Sequence, residues 1–214
     1  MEYSAVISDC NKYRYKLTRT WDEDEEKVLF IMLNPSTADE KTDDLTTRRC
    51  INFAKKWGYG GIMIGNIYPF RAKRPKDLKE WGRDCVDTKE LAKKYYETME
   101  ENENHVMDMV QQAELVVCAW GCNYKGIPKW IAEIKDIHYL ELCDDGITPK
   151  HPLGNLSKDL KPIAYNALDL LKLLCFNDPI PSLHTHNYGF HTATGRNIIQ
   201  TVQEYYYKFK NLEL

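Results

Sequence analysis

Short apolar runs alternate with amphipathic stretches along the chain, and this pattern predicts most of the secondary structure. Residues 28–33 and 61–67 are almost continuously apolar, which is typical of strands buried on both faces. Residues 13–20 alternate apolar and polar side chains after a turn, which predicts a further strand. Residues 46–57 carry apolar side chains at helical spacing and are followed by a glycine. The same reasoning predicts strands at 115–119 and 138–142, a basic proline-containing loop after residue 67, and helices at 87–109, 130–135, 163–174 and 197–210.

This alternation of strands and helices predicts an α/β protein with three layers, α/β/α, around a mainly parallel central sheet, plus an N-terminal hairpin. A chain of 214 residues suits a single domain, residues 1–214. We expect its core to span about 13–175, followed by an irregular segment and a helix within 176–214. Ligands of such sheets bind outside the carboxyl ends of the strands, so we expect the functional site at that edge.

Three polar residues are predicted to reach this edge. Asn34 follows the first apolar strand, Asn66 ends the second, and His151 lies in the loop after the fourth. An asparagine amide offers both donors and an acceptor, so it can hold a water or read a base edge. A neutral imidazole can stabilise charge that develops on a leaving group. The alternatives are capped turns at both asparagines and a structural or solvated histidine.

Composition excludes several classes of protein. No apolar run approaches the ~20 residues of a membrane span, and the N-terminus has no signal-peptide pattern, so a cytoplasmic protein without membrane partners is expected. Seven cysteines without a CxxC pair indicate reduced thiols and argue against a cysteine-built metal site. His184, His186 and His191 lack a nearby carboxylate, so we predict neither a metal nor another cofactor.

Charge is distributed unevenly although the net charge is only -3. Acidic residues concentrate at 22–26 and 39–44, and basic residues concentrate after 47 and after 70. A local basic patch can bind a phosphate-bearing partner without the whole protein being basic. Solvated helix and loop faces explain the same distribution equally well. The predicted phosphate-binding residues are Arg48, Arg49, Arg71 and Arg74.

Several motifs, taken in order, resemble the DUF1643 family of uncharacterised bacterial and phage proteins. The resemblance covers roughly 13–165 and is specific because long motifs recur in the same order. The motifs are Tyr13-Arg14-Tyr15 with Leu17 and Arg19, Ile31 to Asp39, Asp43-Asp44, Thr47 to Cys50, Asn66 with Arg71-Ala72, Cys118-Ala119-Trp120-Gly121 and His151-Pro152-Leu153.

Some of these motifs also resemble the uracil-DNA glycosylase superfamily, in which three polar positions occur in the same order along the chain. That resemblance implies a uracil-DNA-glycosylase-like fold in which Asn34 positions water, Asn66 reads a flipped base and His151 stabilises the departing base. The expected partner is a nucleic acid, with DNA favoured over RNA, or a nucleotide. The residues expected around the base are Pro35, Ser36, Phe53, Tyr68 and Phe70, of which the three aromatics are candidates for stacking.

Two departures from the superfamily pattern leave the reaction open. Ile31-Met32-Leu33 precedes the Asn-Pro motif where a glycine is usual, and the His-Pro motif is followed by Leu153 rather than serine. The main hypothesis is hydrolysis of the N-glycosidic bond of an unusual or modified base. Because a neutral amide is a poor base, a non-catalytic nucleotide- or nucleic-acid-binding module is the alternative. A hydrolase of free nucleosides or nucleotides, and a protein partner for the acidic loops, also remain open.

Overall fold

Seven strands form one mixed sheet in the order β1-β2-β4-β3-β5-β6-β7. The structure is a computed structural model and describes residues 1–36, 38–124 and 126–175. The strands β4, β3, β5 and β6 are parallel, whereas β1, β2 and β7 pair in antiparallel fashion at the two sides. The elements are β1 (Glu2–Ile7), β2 (Arg14–Thr20), β3 (Lys27–Met32), α1 (Leu45–Lys56), β4 (Gly61–Asn66), α2 (Pro75–Asp84), α3 (Lys89–Gln112), β5 (Leu115–Cys118), α4 (Lys129–Ala132), β6 (Ile137–Tyr139), β7 (Ile163–Ala164) and α5 (Ala167–Cys175).

Helices cover both faces of this sheet, which explains why β3 and β4 are apolar throughout. Phe30 and Ile62 pack with Phe53 of α1 on one face. The neighbouring residues Leu29 and Met63 pack on the other face, together with buried side chains of α3 and α4. The α/β class, the parallel centre of the sheet and the hairpin of β1 and β2 are therefore confirmed.

Two predicted elements were wrong because long-range contacts override local pattern. The basic segment after Asn66 contains α2, whose Leu78 and Trp81 are buried in the core. Its Pro75 occupies the first helical turn, where a proline costs no hydrogen bond. Residues 163–174 were predicted as one helix, but Ile163–Ala164 instead pairs with β6 as an edge strand, and the helix starts at Ala167. The helix at 197–210 and the three histidines of 184–191 lie outside the described residues.

The helices that the structure describes include none that is both long and apolar enough to cross a membrane.

Candidate functional site

The strands β3 and β5 are neighbours at the centre of the sheet, and their carboxyl ends lie side by side. The chain leaves β3 for α1 on one face and leaves β5 for α4 on the other face. Such a divergence is the topological switch point at which open α/β sheets bind ligands. Asn34 follows β3, Gly121 follows β5 and contacts His151, and Asn66 ends the neighbouring strand β4. The three predicted polar residues therefore lie along one edge of the sheet.

Asn34 ties the loop after β3 to the loop after β4. Its Nδ2 donates to the carbonyl oxygens of Pro35 at 3.0 Å and Ala72 at 2.9 Å. The N–H of Ala72 donates in return to the Pro35 carbonyl at 3.0 Å. With both amide hydrogens directed to the backbone, Oδ1 is the remaining polar atom of Asn34 and is an acceptor only. Pro35 is buried and Ser36 is half-buried beside it.

Asn66 is the most unusual residue at this edge. Only 1% of its surface is exposed, yet neither its Oδ1 nor its Nδ2 has a hydrogen-bond partner among the described residues. Ile62 and Ile64 of β4 face α1, so strand alternation places the Asn66 side chain on that face. Its backbone is held separately, because Nδ2 of the buried Asn102 on α3 donates to the Asn66 carbonyl at 2.9 Å. A buried amide without partners costs free energy, so its presence calls for an explanation.

His151 is held in one orientation and one tautomer. The backbone N–H of Leu153 donates to its Nδ1 at 3.2 Å, so the neutral ring carries its proton on Nε2. Burial lowers the pKa of His151 below its usual 6.5, and the negative charge of Asp44 partly opposes this. Gly121 has φ +91°, and a Cβ added to it would lie 3.2 Å from the Cβ of His151. His151 at neutral pH is therefore an uncharged donor packed against a backbone that requires glycine.

A disulfide joins the two loops that support His151, which corrects the prediction of reduced thiols. Cys122 follows Gly121 after β5 and is bonded to Cys143 after β6. The Gly121 N–H donates to the Pro149 carbonyl at 3.0 Å, and the Cys143 N–H donates to the Thr148 carbonyl at 2.8 Å. This disulfide could not be predicted from the sequence alone, because the two cysteines are 21 residues apart and meet only when β5 and β6 pair in parallel.

Reducing this disulfide is expected to destabilise the protein by about 3 kcal/mol, the loop-closure contribution for a loop of this length. The measurement is thermal unfolding with and without dithiothreitol, beside a Cys122→Ser/Cys143→Ser variant. That variant should melt lower than the oxidised protein and should no longer respond to the reductant. The matched control is Cys10→Ser, which changes an exposed free cysteine. An unchanged Tm on reduction would contradict a bracing role for the bond.

Each of the four predicted phosphate-binding arginines has a hydrogen-bond partner within the chain. Arg49 donates to the Leu156 carbonyl at 2.6 Å and stacks over Phe53, so it fastens α1 to the chain beyond His151. Arg74 donates to the Asp77 carboxylate, with Nε 3.0 Å from Oδ1. Arg48 is exposed on α1, and the half-buried Arg71 donates to the Asn11 carbonyl at 3.5 Å. Arg48 also donates, from Nε to the Asp44 carbonyl at 3.4 Å, so all four guanidinium groups have a partner within the chain, and those of Arg49 and Arg74 make the shorter contacts.

The three candidate stacking aromatics lie in packed clusters. Phe53 is buried and stacks on Trp57 at 5.5 Å. Tyr68 is buried and makes edge contacts with Trp81 and Tyr124. Phe70 stacks on Trp81 at 4.9 Å and is half-buried, which makes it the most accessible of the three.

Sequence reasoning missed Arg14 as a residue of this edge. The alternation of β2 suggests that Arg14 and Lys16 share an outer face, but Arg14 is 3% exposed, and its Nη1 donates to the Ala38 carbonyl at 2.8 Å. The available signal was the Tyr13-Arg14-Tyr15 motif, which is one of the motifs on which the resemblance to the DUF1643 family is based. Within the described part of the chain, no three His, Cys, Asp or Glu side chains are grouped so that they could hold a metal ion.

Comparison with known proteins identifies a family but no characterised relative. Neither the curated proteins nor the solved structures include a significant match to this chain. The model of the DUF1643 family, described as a protein of unknown function, matches residues 14–153, and the chain therefore belongs to the DUF1643 family.

Proposed function

We propose that the chain recognises an unusual or modified nucleobase and hydrolyses the N-glycosidic bond that joins it to the sugar. The observation that carries this proposal is the Asn66 amide, which is 1% exposed and has no partner for either polar atom in the part of the chain that the structure describes. An amide buried in this way is complementary to a flat ligand edge that offers both an acceptor and a donor. The edges of nucleobases have that character. A base flipped out of a strand, or a base in a free nucleotide, would satisfy both atoms at once.

The neighbouring residues supply the remaining parts of a hydrolytic site. Asn34 Oδ1 would accept a hydrogen bond from a water directed at the anomeric carbon of the sugar. The water oxygen forms a bond to that carbon while the bond to the base nitrogen breaks and its electron pair stays on the base. The proton that the water loses passes through solvent to the departing base, so the products are the neutral base and a sugar with a new hydroxyl group. His151, with its proton on Nε2, would donate a hydrogen bond to the oxygen of the departing base. The resemblance to the uracil-DNA glycosylase superfamily assigns the same three roles in the same order.

An abasic-site assay tests the proposal directly. Purified protein is incubated with single- and double-stranded oligonucleotides that contain uracil, hypoxanthine, xanthine or hypermodified pyrimidines, followed by alkali. Strand breaks that appear with the wild type and are lost in Asn34→Ala and His151→Ala proteins would establish the glycosylase and identify its base. A parallel chromatographic assay on the free nucleosides and nucleotides covers release of a base outside nucleic acid. Absence of base release in both assays would exclude hydrolysis.

A base-binding module without catalysis is the second candidate, and the Asn34 geometry favours it. The Asn34 amide donates both hydrogens to backbone carbonyls and has no charge with which to activate water. In that case Asn66-dependent binding would be measured without strand cleavage. Engagement of Arg49 and Arg74 within the chain favours a small ligand over a long phosphate track in either case. Affinity that falls steeply between ~50 and 200 mM salt would instead indicate a phosphate-tracking binder.

A further inference from the structure

Two buried arginines on the same strand differ sharply in how their charge is satisfied. Arg19 is 0% exposed, and its Nε donates to the Asp43 carboxylate at 2.7 Å. Its other two nitrogens donate to backbone carbonyl oxygens. Arg14 is 3% exposed, but among the described residues the only hydrogen bond of its side chain is the one from Nη1 to Ala38, and its Nε has no partner there. No ion pair to Arg14 is found in residues 1–36, 38–124 and 126–175, whereas Arg19 has one.

A buried guanidinium without an anion is unfavourable, because its desolvation is not offset by an ion pair. Burial lowers the pKa of Arg14 to about 10, and Asp44 opposes this, so the group stays charged at neutral pH. The charges that face it are those of Asp44 and Asp39, which raise its pKa, and of Arg71 and Arg19, which lower it. One oxygen of each carboxylate has another partner: Oδ1 of Asp44 accepts from Thr47, and Oδ1 of Asp39 accepts from the backbone of its own turn.

Arg14 also lies at the edge of the sheet that carries the proposed site. Its N–H donates to the carbonyl of Pro69, in the loop that follows Asn66, at 2.9 Å. Its side chain reaches Ala38, in the loop that follows Asn34. Ala38 packs with Ile64 on the face of the sheet that α1 covers, which is also the face of the Asn66 side chain. The unpartnered donors of Arg14 and the unpartnered amide of Asn66 therefore occupy the same end and the same face of the sheet.

We propose that Arg14 binds a phosphate group of the ligand whose base Asn66 recognises. The planar fork of a guanidinium matches the oxygens of a phosphate, and a low-dielectric position strengthens the pairing. A nucleotide carries a base and a phosphate on one molecule, so one ligand satisfies both unpartnered residues. The nucleotide character of the ligand rests on the proposed function, while the anion site rests on Arg14 alone. The phosphate belongs either to a free nucleotide, as a monoester, or to a nucleic-acid strand, as a diester.

Calorimetric titration of the full chain tests this proposal with named probes. The probes are inorganic phosphate, 2′-deoxyuridine, 2′-deoxyuridine 5′-monophosphate, 2′-deoxyinosine, its 5′-monophosphate, and a short single strand that contains uracil or hypoxanthine. The wild type should bind a phosphate-bearing probe more tightly than the matching nucleoside. Arg14→Gln keeps a donor for Ala38 but removes the charge, and it should weaken that binding on the order of ten- to hundredfold. Arg14→Lys should fall between the two.

Thermal unfolding without ligand separates binding from folding. Arg14→Gln should leave Tm unchanged or raise it, because it removes an unpaired buried charge. The matched variant Arg19→Gln should lower Tm, because it breaks a satisfied buried pair. Tighter binding of a monophosphate than of the single strand identifies the monoester as the natural group, and the reverse order identifies the diester. For a diester, a plot of log affinity against log salt concentration should have a slope smaller in magnitude by about 1 in Arg14→Gln, because one phosphate contact is lost.

The results that overturn the proposal are distinct from those that overturn the proposed function. If no phosphate-bearing probe binds better than its nucleoside, or if Arg14→Gln binds all probes as the wild type does, Arg14 is not a phosphate site. If phosphate-bearing probes bind in an Arg14-dependent manner but Asn66→Leu has no effect on any of them, the anion site stands and base recognition fails. If Asn66→Leu abolishes nucleoside binding while Arg14→Gln has no effect, base recognition stands and the phosphate site fails.

Discussion

Replacing Asn66 with leucine is expected to make the protein more stable and to remove the proposed recognition of a base. Leucine has the same branched shape as asparagine but carries no polar atoms. The substitution therefore removes a buried amide whose two polar atoms have no partner within residues 1–36, 38–124 and 126–175, at a position that is 1% exposed. Relief of that unsatisfied group should raise the free energy of unfolding by about 1–3 kcal/mol. For a chain of this size, each kcal/mol corresponds to about 2–4 °C in Tm.

Base binding should change in the opposite direction. A base that forms two hydrogen bonds with the amide loses both, which corresponds to about 1–3 kcal/mol, or up to about a hundredfold in affinity or in kcat/KM. The measurements are thermal unfolding and, on the same preparations, the abasic-site assay or nucleoside titration. Stability that rises while recognition falls is the signature of a polar group kept for a ligand rather than for folding.

Asn102 provides the matched control for Asn66. It is 0% exposed and lies on α3, and its Nδ2 donates to the carbonyls of Asn66 at 2.9 Å and Ile67 at 3.3 Å. Asn102→Leu leaves both carbonyls without that donor, so it should lower the free energy of unfolding by about 1 kcal/mol or more. The loss is moderated because Asn102 Oδ1 itself has no partner among the residues that the structure describes. If Asn66→Leu also lowered Tm, the Asn66 amide would be structural and the main support for base recognition would be removed.

The parts of the fold that could be predicted are those in which local pattern and tertiary contacts agree. Residues 28–33 and 61–67 are almost continuously apolar because helices cover both faces of β3 and β4. Side chains on both faces of these strands are therefore buried, and the sequence pattern reflects this. The arrival of Asn34, Asn66 and His151 at one edge then follows from parallel strand geometry rather than from any single motif.

The parts that escaped prediction depend on contacts between residues far apart in sequence. The strand Ile163–Ala164 exists only through its pairing with β6, and the local apolar spacing favoured a helix. The bond between Cys122 and Cys143 requires the loops after β5 and β6 to meet. The burial of Arg14 depends on the loop that carries Ala38. None of these pairings produces a periodic pattern in the sequence, because each depends on which distant segments the fold brings together.

Replacing His151 with alanine is expected to reduce turnover by a factor on the order of 10²–10³, which corresponds to the loss of one donor to the departing base. The structure indicates that the neutral ring donates through Nε2, because Nδ1 accepts the N–H of Leu153. His151→Gln retains a neutral N–H donor and should therefore recover part of the activity, whereas a purely electrostatic role would be restored better by His151→Lys. The measurement is single-turnover base release for the three variants, and full activity in His151→Ala would remove His151 from the mechanism.

The pH dependence of activity and of stability should follow the same imidazole. Burial lowers the pKa of His151 below 6.5, so the ring is neutral and fully competent above that pH. Protonation of Nδ1 would place two donors, Nδ1–H and the Leu153 N–H, against each other and would break the bond that orients the ring. Because the pKa in the folded state lies below that of the unfolded chain, His151 favours folding above about pH 6.5, and this contribution is lost as pH falls through the folded-state pKa. We therefore expect a flat rate from pH 6.5 to about 8 and an acid limb below it.

The variant Asp44→Asn tests this assignment. It keeps a capping side chain for α1 but removes the charge that raises the pKa of His151. NMR titration of the His151 ring should therefore show a still lower pKa, and the acid limb should move to lower pH with it. A pKa at or above 6.5 in the wild type, or an acid limb that does not follow the Asp44 substitution, would show that another group controls the reaction.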